Sequence, residues 1–169
     1  MIGLLYKVPT TPELALADGQ RAVRLVRSHA KPWKLDPKKI GMQGYSAGSH
    51  LLVNLIAHPD DGNPQAQDAV DRLSCRLNFA VLMCPWNLWK VDKYPLKAPL
   101  PPAFLACAAD DKVSIDFSDP LAARLKELQT PIQFLRVPDG GHAAFHRTSA
   151  WGKWPEKLIP WLKEQGFAR

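Results

Sequence analysis

Short apolar runs alternate along this chain with longer stretches in which apolar residues recur at helical spacing. That alternation implies parallel strands joined by crossover helices, so the fold class is α/β: a mostly parallel sheet of about five strands flanked by helices. Residues 2–6 read as a first strand closed by Pro9, and Thr10 or Thr11 is placed to cap a helix from Pro12 to about Ala30. A second strand is expected over 39–45, followed by a helix to about His58. The run Pro59-Asp60-Asp61-Gly62-Asn63-Pro64 is turn chemistry that opens a polar loop or short helix reaching Leu73. Residues 79–84 and 104–108 are unbroken apolar runs, the pattern of strands covered on both faces. The remaining pattern predicts a helix over 119–128, a strand over 132–137, a turn over 138–141 and a closing helix over 154–165.

Residues 85–102, rich in proline and aromatics, follow no period and read as a long loop. Loops of that length in compact domains commonly form binding segments, which makes Trp86, Trp89 and Tyr94 candidate pocket-lining residues; packing over the strand ends is the alternative.

Composition narrows the class. With 169 residues and 46% hydrophobic content the chain suits one domain over 1–169, large enough for a core without disulfides. It has no apolar run of the roughly 20 residues that a membrane span requires. The three cysteines are an odd number, and Cys84 and Cys107 lie inside apolar runs, so buried reduced thiols are expected, with Cys75 the candidate for an exposed one. The net charge of +6 raises the question of a polyanion, but the basic residues (Arg21, Arg24, Arg27, Lys31, Lys34, Lys38, Lys39) are spread over helix surface and form no block. A solvated face is expected there, not a nucleic-acid site. The N-terminus lacks the basic region and cleavage site of a signal peptide, which implies a cytoplasmic chain if it is complete.

The chemistry concentrates at predicted strand ends. Gly44-Tyr45-Ser46-Ala47-Gly48 follows a strand and opens a helix, the context of the G-x-S-x-G nucleophile elbow, and a chain of this composition holds that pattern by chance only ~0.02 times. In such an elbow side chains at Gly44 and Gly48 are expected to collide with neighbouring strand and helix, while Ser46 exposes its hydroxyl. A serine hydroxyl needs a base and an acid that orients it. Asp110-Asp111 follows the run that ends at Ala108, and His142 follows the strand and Gly140-Gly141, so both stand in the order Ser, acid, His. His50, four residues after Ser46, reads as a packing residue; His146 is a weaker alternative base, and His29 and His58 sit at helix ends that favour them. No metal-ligand spacing occurs, so neither a metal nor a cofactor is expected.

These residues resemble the α/β-hydrolase esterases, in the group that includes acetyl xylan esterases and bacterial feruloyl-esterase-like enzymes. The resemblance runs through DGQRAVRLVRSHAKPWKLDPKKIGMQGYSAGSHL, PPAFLACAADDKVSIDFS, VPDGGHAAFH and WPEKLIPWLKEQGF, which covers nearly the whole chain. It implies Ser46 as nucleophile, His142 as base, Asp111 as acid with Asp110 the runner-up, and the Ala47 N–H as an oxyanion donor. Tyr45, Trp86 and Trp89 are its candidate substrate-binding residues. The family pattern has phenylalanine where this chain has Tyr45 and glycine where it has Ser49. It also has further strands and a His-Gly-Gly oxyanion loop upstream of the stretch that residues 2–6 resemble. This sequence starts after them, an N-terminally short version of the fold. Either strands 2–6 and 39–45 then pair directly, or an edge is covered by a second copy as a homodimer. The implied function is hydrolysis of short acyl esters, with acetylated carbohydrate a candidate substrate; a truncated, non-catalytic binding module and a peptidase of the same fold are the alternatives.

Overall fold

The computed structural model describes residues 12–86, 90–142 and 150–169. The expected strand 2–6, Trp89 and His146 lie outside them, as does the pairing of that strand. Four parallel strands, β1 (Gly41–Tyr45), β2 (Phe79–Met83), β3 (Ala103–Ala108) and β4 (Ile132–Val137), form a sheet in the order β1-β2-β3-β4. The register sets Tyr45 opposite Met83 and Cys107 opposite Arg136.

The helices are α1 (Pro12–Ser28), α2 (Ala47–Ala57), α3 (Ile115–Glu127) and α4 (Trp154–Glu164). Alternate strand residues sort into two cores. Ala80, Leu82, Ala103 and Leu105 face α1, α2 and α3 through Val23, Leu51, Leu55, Phe117, Leu121 and Leu125. Val81, Met83, Phe104 and Ala106 face α4 through Leu158 and Trp161. Central β2 and β3 are buried almost throughout, as their unbroken apolar runs predict, while β1 and β4 are half-buried.

Three expectations are corrected. The helix expected from 119 begins at Ile115 and carries Pro120 inside it, because the turn after β3 runs straight into it: Ile115 N–H donates to the Asp111 carbonyl (3.0 Å) and Ser118 N–H to that of Ser114 (2.9 Å). Cys75 is buried, not exposed; its sulfur accepts the Asp60 N–H at 3.2 Å. The arginines of α1 are not merely solvated. Arg24 donates to both Asp60 carboxylate oxygens (2.5 and 2.6 Å) and to the Leu73 carbonyl (2.9 Å), and Arg21 holds Asp68 and Asp71, so α1 fastens the 60–76 segment. Of the expected 85–102 loop, the described residues 85–86 and 90–102 hold no strand or α-helix, only a 3-10 turn at Val91–Lys93, but Val91, Tyr94, Leu96 and Leu100 bury themselves in the core between the helices and the sheet.

Candidate active site

All four strands deliver a side chain to one end of the sheet. Ser46 follows β1 directly, Cys84 follows β2, Asp111 lies just past β3 and His142 just past β4. This is the carboxyl edge of a parallel sheet, where helix N-termini and loops converge.

Ser46 has φ 50° and ψ −117°, a left-handed backbone state that is costly for a residue with a Cβ. The strain is held by hydrogen bonds on both sides. Ser46 N–H donates to the Met83 carbonyl (2.9 Å), and the Ser46 carbonyl accepts from Ser49 N–H (2.9 Å) and His50 N–H (3.2 Å). A Cβ on Gly44 would lie 2.4 Å from the Gly48 carbonyl oxygen, so glycine is required there. The same expectation for Gly48 is corrected: among the described residues nothing lies within 4 Å of a Cβ built there. Ser49, fully buried, fastens the elbow. Its hydroxyl reaches the Gly44 (2.7 Å) and Met83 (3.0 Å) carbonyls and accepts the Met83 N–H at 3.1 Å.

Ser46 Oγ lies 2.7 Å from His142 Nε2, and His142 Nδ1 lies 3.0 and 3.1 Å from the two Asp111 carboxylate oxygens. Burial pushes the Asp111 carboxyl up, but the Ser114 hydroxyl, His142 and the Val113 N–H outweigh it, and the group is held below its ordinary value. An ionised carboxylate only accepts, so Nδ1 carries the ring proton and bare Nε2 accepts from the Ser46 hydroxyl. That is the tautomer in which a histidine can take a serine proton.

Of the two candidate acids, Asp111 is the one at the imidazole. Asp110 instead accepts the N–H of Gly140 (3.3 Å) and Gly141 (2.9 Å). His50 is buried, with Nδ1 2.6 Å from the Tyr94 hydroxyl and Nε2 3.3 Å from the Asn54 amide, in keeping with a packing role. His29 and His58 lie at the C-terminal ends of α1 and α2, each ring nitrogen near the carbonyl four residues back (2.9 and 3.1 Å). Ala47 opens α2, and first-turn N–H groups have no intrahelical acceptor, so its N–H is available to an anion beside Ser46.

Sequence reasoning missed two supports. The Ser114 hydroxyl donates to Asp111, a signal present in the Asp-x-x-Ser spacing. Cys84 Sγ, an Asp111 oxygen and a His142 nitrogen lie within 4.8 Å of one another. Burial, and the Asp111 carboxylate beside it, push the Cys84 thiol far up, so in the unligated site it stays protonated beside that carboxylate.

Of the candidate substrate-binding residues, Trp86 lines a cavity of about 970 Å³ with Tyr94, Val113, Asp116, Phe117 and Arg124, beside the turn after β3. Tyr45 lies against His142, ring centroids 5.6 Å apart, and its hydroxyl donates to the His142 carbonyl.

Residues 7–83 match the BD-FAE family model. Over 60 residues the chain is 42% identical to an endo-1,4-beta-xylanase B of Butyrivibrio fibrisolvens, covering 34% of this chain and 9% of that protein. Among solved structures it is similar to an acetyl ester-xyloside bifunctional hydrolase of Caldicellulosiruptor lactoaceticus, with TM-score 0.83, 29% identity and coverage of 91% of this chain and 66% of the other. A propionate-bound esterase of Thermogutta terrifontis gives TM-score 0.74 and 25% identity over 90% of this chain and 65% of the other. The chain therefore spans somewhat less than two thirds of these solved relatives and a small part of the xylanase.

Proposed function

We propose that this chain, which has the α/β-hydrolase fold and resembles the acetyl xylan esterase and feruloyl-esterase-like group of that superfamily, hydrolyses carboxylic esters as a serine hydrolase. The observation that carries this reading is the continuous chain from Ser46 Oγ through His142 to a carboxylate held ionised, with 2.7 and 3.0 Å links, on a strained strand-to-helix turn. His142 takes the Ser46 proton as Oγ attacks the ester carbonyl, and Asp111 stabilises the imidazolium that forms. The oxyanion meets the Ala47 N–H at the start of α2. His142 then protonates the departing alcohol, and water, deprotonated by the same imidazole, releases the acid from Ser46.

Short acyl groups, with acetyl groups on a carbohydrate as the leading class, are the proposed substrates. Similarity to the acetyl ester-xyloside hydrolase and to the propionate-bound esterase supports this. The cavity beside Val113 is proposed to receive part of the substrate, with Trp86 as a wall.

The test is hydrolysis of aryl acetate, propionate and butyrate and of acetylated xylo-oligosaccharide by the wild type and by Ser46→Ala. Loss of about 10³-fold or more in the variant is expected. Equal rates, or no labelling of Ser46 by a fluorophosphonate in folded protein, would overturn the assignment in favour of a non-catalytic module.

A further inference from the structure

The turn that carries His142 is soft by composition. It runs through Gly140 (φ 121°) and Gly141 (φ 59°), conformations that glycine adopts without penalty but also leaves most readily. Among the described residues, the hydrogen bonds that reach the backbone of 140–142 come from two side chains on other elements. Asp110 accepts the N–H of Gly140 and Gly141 at 3.3 and 2.9 Å, and the Tyr45 hydroxyl donates to the His142 carbonyl.

We propose that Asp110 and Tyr45 are positioning residues that clamp the His142 turn from two different strand ends and hold its ring in line between Ser46 and Asp111. The inference rests on the proposed serine-hydrolase reading. Each clamp is the immediate chain neighbour of a group that His142 must reach: Tyr45 precedes Ser46, and Asp110 precedes Asp111. The strand ends that set the nucleophile and the acid therefore also set the base, and a small shift of β1 or β3 carries the imidazole with it. An aspartate suits two converging N–H groups because it offers two acceptor oxygens, whereas asparagine offers one. Burial pushes the Tyr45 hydroxyl up, so it stays a donor. The adjacent acids thus divide the work, one orienting the ring and the other its backbone.

Misplacing a general base reduces turnover without weakening ground-state binding, because the imidazole–serine geometry matters in the transition state. Asp110→Ala is expected to lower kcat about tenfold, equivalent to about 1.4 kcal/mol, with KM within about twofold of wild type. Tyr45→Phe, which deletes only the hydroxyl, is expected to lower kcat about threefold to tenfold. Asp110→Asn separates clamping from charge: retaining one acceptor oxygen, it should fall between wild type and Asp110→Ala.

A readout independent of turnover is amide hydrogen exchange at Gly140 and Gly141, expected to accelerate in Asp110→Ala and less in Asp110→Asn, at unchanged Tm. If the wild type shows no Ser46-dependent turnover, the esterase reading fails while exchange still decides the clamp. Unchanged exchange in Asp110→Ala, wild-type kcat in both Asp110→Ala and Tyr45→Phe, or identical behaviour of Asp110→Asn and Asp110→Ala would each overturn the proposal.

Discussion

Asp111 is 1% exposed yet ionised, a state that burial alone opposes. The fully buried Ser114 hydroxyl is the largest single compensation, ahead of His142 and the Val113 N–H. Removing a hydrogen bond to a buried charge costs about 1.5–3 kcal/mol. Ser114→Ala should therefore move the Asp111 carboxyl back up and lower kcat/KM by about tenfold to a hundredfold, converting at about 1.4 kcal/mol per decade, while Ser114→Thr keeps the donor and most of the activity. Steady-state kinetics over a pH series measures this, and wild-type kcat/KM in Ser114→Ala would show that the other partners suffice.

Among elements, the β1–α2 elbow separates two glycines that the motif alone treats alike. Gly44 faces backbone at 2.4 Å, so Gly44→Ala must push α2 away from β1 and is expected to cost about 3 kcal/mol, the upper end of overpacking. Gly48 lies in the first turn of α2 with nothing among the described residues within 4 Å of its Cβ, so Gly48→Ala should stabilise by up to about 1 kcal/mol through helix propensity. Thermal unfolding of the pair measures both. A Gly48→Ala variant that unfolds as readily as Gly44→Ala would mean that the Gly48 position is filled. Residues 90–102, joined to α2 by the Tyr94–His50 bond, likewise behave as a core element.

For the whole molecule the shifted groups that titrate below neutrality act in one direction. Burial holds His50 below its ordinary value, and Asp111 and Asp60 are also depressed, in each case with burial opposed and outweighed, for Asp60 chiefly by Arg24. A depressed folded value means that the unfolded chain binds the proton more tightly, so stability is full above the unfolded value and is lost as pH falls through the folded one. Unfolding midpoints in urea should fall first as pH drops below the ordinary histidine range, ~6.5, and again below the carboxylate range, ~4. His50→Gln should flatten the first step and leave the second. A midpoint constant through the histidine range in the wild type would rule out the His50 contribution.

The apolar pattern was enough to reveal β4, both buried central strands and the class of fold, because burial of alternate or continuous faces is written locally in each segment. Ser46 and His142 were legible for the same reason: a G-x-S-x-G turn and a Gly-Gly-His turn are local signals tied to strand ends. What the sequence left open depended on long-range contacts. Adjacent residues point in different directions, so only packing of the turn after β3 decides that Asp111 meets His142 while Asp110 meets Gly140 and Gly141. The burial of Cys75 against Asp60 and the Arg24–Asp60 fastening are likewise properties of partners elsewhere in the chain, and the start of α3 at Ile115 follows from how the turn after β3 closes on the Asp111 carbonyl. Local pattern determined which elements form and where their chemistry stands; tertiary structure decided which side chain faces which, because direction at a strand end is set by what packs across from it.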